Sequence, residues 1–463
     1  MASINWREAI AKTKEFIKIS LKKYSIFLLH LTPHQNIAQT VLAYTFLGWI
    51  ILSLPFMNST DVSFLDNLFT SAAAVSSAGL NSVNFADSYT FLGKLVVLIL
   101  IQIGGLGYMT FSSFFFISFS ERHRLRKHQQ ENLSAEVSLP NTLKLSDFLW
   151  AAIVFTIVAE SIGTVFLFNY FRHHNYGIFD AAWYSIFNSV SAFCTAGFSL
   201  WNNSLENFAD SKTINTVISC LSLAGAMGFI VVTDLFNFIR RKTKAISFTT
   251  KIIVVCTFCM VAFGTFTLFV TSPGITLWEA FFQSTAAMTT AGYNTVNIGS
   301  LSSCSLLILM LLMSVGGSPS GTAGGMKTTV FCSLMALMYN RLKLNTRVEF
   351  LGRRIPVVRL YSATSTFLLY ILFLFTSVFL LTWTEDLPFL KLLFESTAAL
   401  ATAGLSTGVT AELSWLGKLI IIGTMIIGRI GVVTFGMAIL STDEDDLDDD
   451  DHEKPAITED IAV

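Results

Sequence analysis

Four segments of this chain end alike, and that recurrence constrains the fold more than any other feature. They read Thr70-Ser-Ala-Ala-Ala-Val-Ser-Ser-Ala-Gly79, Asn188-Ser-Val-Ser-Ala-Phe-Cys-Thr-Ala-Gly197, Gln283-Ser-Thr-Ala-Ala-Met-Thr-Thr-Ala-Gly292 and Glu395-Ser-Thr-Ala-Ala-Leu-Ala-Thr-Ala-Gly404. Each closes on a hydroxyl residue, alanine and glycine. The glycines lie 118, 95 and 112 residues apart, a period long enough for two bilayer spans and a loop.

The spans are visible in the same sequence. Apolar stretches cover 37–56, 91–118, 147–170, 213–238, 250–271, an interrupted 301–340, 362–383 and 416–440. Only 13% of residues are charged while 53% are hydrophobic, and the mean hydropathy is +0.61. A water-soluble chain carries about 25% charged residues, so a soluble fold is excluded and a polytopic membrane protein is indicated.

Each repeated segment sits in the same slot. A span and a short acidic stretch precede it; a polar stretch and another span follow. The run from Phe64 to Ser77 would be roughly 20 Å long as a helix, too short for a hydrocarbon core of about 30 Å. It fits a half-membrane helix that enters and returns, with its glycine where irregular backbone must line a cavity or be buried in protein. The expected fold is therefore an all-α integral membrane protein of four tandem helix–pore helix–filter loop–helix repeats around a pseudo-four-fold central pore, with eight spans. The expected divisions are an interfacial N-terminal segment 1–36, repeat one 37–120, a basic loop and repeat two 121–240, repeat three 241–345 with a broken second span, repeat four 346–441 and an acidic tail 442–463.

Charge orients these spans. Arg122, Arg124, Arg126 and Lys127, then Arg240, Arg241, Lys242 and Lys244, then Arg341, Lys343, Arg347, Arg353, Arg354 and Arg359 fall in one set of loops. Asp61, Asp87, Asp180, Glu206, Asp210, Glu385, Asp386 and Glu412 fall in the alternate set. The positive-inside rule makes the basic set and both termini cytoplasmic in a plasma or inner membrane. The basic N-terminus has no cleavage-like end and reads as an amphipathic segment on that face. The acidic outer loops either concentrate cations or are simply solvated.

Four loops around one axis suit a cation. An ion leaving water needs oxygen ligands, and a ring of backbone carbonyls supplies them. Glycine allows the required backbone without blocking the path, and helix C-termini favour a cation at the centre. Small-residue helix packing would explain one such segment; four in one topological slot argue for the ring.

These motifs resemble the Trk/Ktr/HKT superfamily of potassium transporters, specifically the Ktr B-type membrane subunit, from about Ile37 to Leu440. The resemblance implies that potassium is held by backbone oxygens at Ser77, Ala78, Gly79 and Leu80; Thr195, Ala196, Gly197 and Phe198; Thr290, Ala291, Gly292 and Tyr293; and Thr402, Ala403, Gly404 and Leu405. Plant relatives with serine at the first filter position favour sodium, so Gly79 points to potassium. Sodium stays as the alternative transported ion, or as a coupled or activating one. Ser77, where the other copies carry threonine, is a mild departure.

The sixth span is interrupted by Ser314-Val-Gly-Gly-Ser-Pro-Ser-Gly-Thr-Ala-Gly-Gly-Met-Lys327, which cannot sustain a helix. The resemblance implies a gate loop beneath the filter, with Gly316, Gly317, Ser318, Gly321, Gly324, Gly325 and Lys327 in it; a kinked helix is the plainer alternative. Arg429 lies mid-span, where a charge costs roughly 2.5–3.5 kcal/mol on insertion scales. The family counterpart acts with the gate loop as an electrostatic barrier; otherwise Arg429 pairs with a buried acid such as Glu160. Gly104, Gly105 and Gly107 read as helix-packing residues.

Other chemistries are not supported. The seven histidines lie near span ends or in loops, and no HExxH or Walker A segment is present. Gly317-Ser-Pro-Ser-Gly321 centres on Pro319 and is not a G-x-S-x-G elbow. Six scattered cysteines, including Cys256 and Cys259 as a CxxC within a span, read as packing thiols. An enzyme is not expected. A coupled carrier would use inverted repeats, whereas these four run the same way. The resemblance implies a homodimer embedded in membrane lipid, and a separate cytoplasmic ring of Rossmann-type regulatory subunits binding ATP, ADP or NADH. The basic loops near Arg240 and Arg353 are candidate docking surfaces for it. No nucleic-acid partner is expected. The acidic run Asp443 to Glu453 departs from the family pattern and reads as a solvated tail.

Overall fold

The computed structural model describes residues 31–106, 145–241, 245–345 and 347–440. The expected N-terminal interfacial segment up to residue 30, the basic loop at 122–127, Gly107 and the acidic tail lie outside these residues.

Helix α1 (Pro33–Leu52) begins at a capping box. The Thr32 hydroxyl accepts from the Gln35 N–H, the Gln35 side chain accepts from the Thr32 N–H, and Pro33 occupies the first turn. The half-length helix α2 (Phe64–Val75) and α3 (Phe91–Gly105) follow. Next come α4 (Leu145–His173), α5 (Ile178–Phe193) and α6 (Lys212–Ile239), then α7 (Phe248–Thr271), α8 (Leu277–Met288), α9 (Ser303–Val315) and α10 (Thr328–Leu342). A two-stranded hairpin, β1 (Glu349–Phe350) and β2 (Arg353–Arg354), precedes α11 (Val357–Thr384), α12 (Phe389–Leu400), α13 (Trp415–Ile430) and α14 (Val432–Leu440).

By length and apolar composition, Trp150–His173 of α4 and the helices α6, α7 and α11 could each cross a bilayer, and the bent pair α13–α14 would be a fifth span; α3 and α9 are shorter apolar helices. The eight expected stretches map onto α1, α3, α4, α6, α7, the broken pair α9–α10, α11 and the pair α13–α14. Two of them differ from the uninterrupted spans expected. The stretch at 213–238 is kinked at Gly228, whose φ is 78°. The stretch at 416–440 bends by 95° at Gly431, φ 91°. The hairpin was also not anticipated.

The outer faces of the long helices are apolar and open: Ile157, Phe166, Phe258, Phe266, Leu368 and Phe375 are exposed, as lipid contact demands. The half-length helices α2, α5, α8 and α12 form the centre. One phenylalanine stands in the same register on each, Phe69, Phe187, Phe282 and Phe394, all at most 1% exposed. Two residues on, a serine ties three of them to the preceding long helix. Ser71 donates to the Thr45 carbonyl (2.7 Å), Ser189 to Glu160 (2.8 Å) and Ser284 to Val261 (2.9 Å). In the fourth, Ser396 accepts from Ser377 instead (3.3 Å). Such bonds within a bilayer average about 0.6 kcal/mol each.

Candidate functional site

Each half-length helix ends in the same turn. Ser77, Thr195, Thr290 and Thr402 adopt φ of 53°, 51°, 52° and 49°. The alanine after each donates its N–H back to Ala73, Ser191, Ala286 or Ala398, in every case over 2.8 Å, which closes a Schellman-type helix end. A left-handed backbone at a non-glycine residue is strained, costing of order 1–3 kcal/mol, and three of the four are β-branched threonines. These four residues are expected in the loops from the recurring hydroxyl, but their left-handed backbone, expected at the glycines alone, is not.

The glycines follow at φ of 70°, 68°, 74° and 69°. A side chain on Gly79 would meet the Ala196 carbonyl. One on Gly197 would meet Ala291, one on Gly292 would meet Ala403, and one on Gly404 would meet Ala78. Each loop thus abuts the next in chain order, and the last abuts the first. The residues after the glycines, Leu80, Phe198, Tyr293 and Leu405, are buried. Tyr293 donates across to the Phe198 carbonyl (3.1 Å).

All four glycines line one cavity of about 440 Å³, together with Asn81, Ser199, Asn294, Ser406 and Thr407. Its wall is braced from behind. Glu395, fully buried, accepts from the Thr407 N–H (2.8 Å) and from the hydroxyls of Ser406 (2.7 Å) and Thr410 (2.7 Å). Asp66 on α2 accepts from Ser82 (2.7 Å) and from Lys418 on α13 (2.7 Å), joining the first segment to the last. Glu206 lies on the cavity rim and accepts from Asn294 (2.9 Å). Burial pushes its carboxyl above the ordinary glutamate range, against the opposing effect of that bond.

On the far side of the ring lies the break between α9 and α10. Thr322 Oγ1 is 3.3 Å from Thr195 Oγ1 and donates to the Phe193 carbonyl (3.0 Å). The Gly324 N–H donates to the Thr290 hydroxyl (2.9 Å). Among the described residues, the buried hydroxyls of Ser77 and Thr402 have no hydrogen-bond partner. The broken segment therefore hydrogen-bonds to the second and third loops and packs Gly324 against Ala401 and Thr402 of the fourth.

The two helix breaks satisfy each other. The kink at Gly228 frees donors and acceptors that a continuous α6 would pair internally. Ser318 and Thr322 donate their N–H groups to Ala226 (2.9 Å) and Gly225 (3.0 Å). Ser320 accepts the Phe229 N–H on its carbonyl (3.3 Å) and the Ile230 N–H on its hydroxyl (3.1 Å). A side chain at Gly321 would meet the Ala226 carbonyl, and Gly316 and Gly325 take φ of 61° and 73°. The Gly317 carbonyl accepts from the Thr328 N–H (2.9 Å). Lys327 donates to the Ala323 carbonyl (2.5 Å).

Arg429 donates to the Thr322 carbonyl (2.9 Å) and to the Gly104 carbonyl. A cation is thus held directly against the broken segment. Glu160, the acid suggested as its partner, lies beside Gln102 and Cys194.

These features define a multi-pass helical membrane protein whose four re-entrant segments converge on one axis, with an interrupted helix seated beneath them. The sequence matches the family described as TrkH, cation transport protein, over residues 13–445. It is 33% identical over 431 residues to the Ktr system potassium uptake protein B of Bacillus subtilis (strain 168), covering 90% of this chain and 95% of that one. It is 34% identical over 432 residues to the potassium/sodium uptake protein NtpJ of Enterococcus hirae, covering 89% and 93%. The crystal structure of the potassium transporter TrkH from Vibrio parahaemolyticus superposes with a TM-score of 0.68 at 19% identity, over 89% of this chain and 86% of that one, and shares its fold. The chain belongs to the TrkH cation transport family, a family of membrane transporters and not of enzymes.

Proposed function

We propose that this chain is the pore-forming subunit of a potassium uptake system in the cytoplasmic membrane, with both termini cytoplasmic. The observation that carries this reading is the closed ring of loops, each glycine against the next alanine carbonyl around a single cavity. Backbone oxygens of Ser77 to Leu80, Thr195 to Phe198, Thr290 to Tyr293 and Thr402 to Leu405 replace the ion's hydration shell. The buried, unpartnered hydroxyls of Ser77 and Thr402 leave polar groups at the base of the ring. The segment Gly316 to Lys327 is the gate, and Arg429 holds a positive charge within it. Opening withdraws the segment from Thr195 and Thr290. Uptake draws on the membrane potential, about 2.3 kcal/mol per charge per 100 mV.

The Bacillus relative's name supports potassium, as does Gly79. The Enterococcus relative is named for potassium and sodium, so sodium is the second reading, as a transported, coupled or activating ion. A homodimer and a nucleotide-binding cytoplasmic ring complete the system in this reading. The test is rubidium uptake in a potassium-import-deficient host, with the intact chain and its partner beside Gly79→Ser. Absence of uptake by the intact chain would sink the transport reading. Unchanged ion preference in the variant would sink the filter assignment.

A further inference from the structure

The loop from α10 to α11 carries a feature that conduction does not use. Arg341, Arg347 and Arg354 line a cavity of about 610 Å³ whose other walls mix apolar residues, including Leu337, Val357 and Leu360, with the hydroxyls of Tyr361, Thr364 and Ser365. Arg354 also lines a neighbouring cavity of about 440 Å³ with Arg359, Pro319 and Lys327, at the foot of the broken segment. Among the described residues, none of Arg341, Arg347, Arg354 and Arg359 forms an ion pair, although Glu349 is the cross-strand neighbour of Arg354.

The segments that bear these arginines also carry exposed leucines. The two-residue turn of the hairpin is Leu351-Gly352, at φ of 47° and 73°. Such turns favour Asn-Gly or Asp-Gly; here a strained leucine stands at the tip, 64% exposed. Leu344, also at positive φ, is 91% exposed, and Leu342 is 78% exposed. Paired with solvent alone, these leucines would be unfavourable. Paired with a membrane interface, they and the arginines match the two halves of one molecule.

We infer that this cleft binds an anionic phospholipid of the inner leaflet, its phosphate between Arg341, Arg347 and Arg354 and its acyl chains along Leu337, Leu360 and the exposed leucines. The placement in the inner leaflet rests on the topology proposed above. Basic pockets between membrane helices on the cytoplasmic side recognise such headgroups. An acidic peptide would satisfy the arginines but leave the neighbouring leucines exposed, which is why lipid is preferred to the chain's own tail.

The test is native mass spectrometry of the full-length chain from nanodiscs of phosphatidylcholine doped with phosphatidylglycerol, which reads binding without transport. Arg347→Gln/Arg354→Gln should weaken phosphatidylglycerol retention roughly ten- to thirty-fold, from the contribution of two interfacial cations. Arg347→Lys/Arg354→Lys should retain most of it, and Arg240→Gln/Arg241→Gln, in a different loop, should leave it unchanged. Undiminished retention in the Gln variant would overturn the assignment, as would equal losses in both Gln pairs. Displacement by glycerol phosphate at comparable concentration would replace the lipid with a soluble phosphate ligand. Retention appearing only after removal of residues 442–463 would identify the tail as the resident occupant and overturn the lipid. Loss of uptake with retention intact would strike the transport reading and leave this one standing.

Discussion

The Gly324 N–H donates to the Thr290 hydroxyl over 2.9 Å, joining the break between α9 and α10 to the turn that ends α8. Few direct polar contacts hold that segment under the ring, and this one uses a side chain from the ring itself.

Removing the hydroxyl should therefore loosen the segment. Thr290→Val keeps the β-branched shape and leaves the Gly324 N–H unpaired, which costs about 1–3 kcal/mol. Rubidium uptake by the chain expressed alone should rise several-fold, and Thr290→Ser should behave as the parent. Equal basal rates in parent and Val variant would exclude a latch at this bond.

Arg429 should set the height of the central barrier. Arg429→Gln removes the charge while keeping donors for the Thr322 and Gly104 carbonyls. Maximal uptake should increase, whereas Arg429→Lys, which keeps the charge but not the planar fork, should lie near the parent. Stopped-flow thallium flux in proteoliposomes would measure all three.

Glu206 should give the cavity a pH dependence. Burial raises its pKa, so the proton leaves only above the ordinary glutamate range. The sign follows: as external pH falls through that raised pKa, the rim loses a negative charge. The half-saturating rubidium concentration should then rise while maximal uptake holds. The same raised pKa means the site's contribution to stability is present at low pH and lost as pH rises through it. Glu206→Gln should show the low-pH behaviour throughout; a parent-like pH profile in that variant would assign the effect elsewhere.

The Asp66–Lys418 pair should act as a clasp between the first and last segments. Its side chains are 12% and 15% exposed, well beyond surface pairs, which contribute 0–1 kcal/mol. Lys418→Met should lower stability by roughly 1–3 kcal/mol, because Asp66 keeps the hydroxyls of Ser63 and Ser82 but loses its cation. Thermal unfolding in detergent would read the loss, and the charge swap Asp66→Lys/Lys418→Asp should recover part of it.

Much of this arrangement is legible in the amino-acid sequence. The hydroxyl–alanine–glycine endings specify local backbone, and the glycine-rich interruption at 316–325 cannot be a helix in any context. What stayed hidden depends on partners distant in the chain. Gly228 sits in an apolar run that reads as continuous helix. Its break is stable because Ser318, Ser320 and Thr322, some 90 residues on, supply the missing bonds. Gly431 likewise reads as one glycine among several in an apolar stretch, and its bend follows from where α14 packs, against α1 and α11. The register of Phe69, Phe187, Phe282 and Phe394 was in plain view, but phenylalanine is so frequent here, 42 in all, that four in phase do not stand out until burial selects them.

The ring closes within one polypeptide, with Gly404 against Ala78 completing the circuit begun by Gly79 against Ala196. In an assembly of four identical chains, any substitution is made four times at once. Here it is made once. One quadrant can carry serine where the others carry threonine, and another can be followed by the interrupted helix, without either change propagating around the circle. The architecture can be altered in quarter-steps, and its four sides are free to specialise.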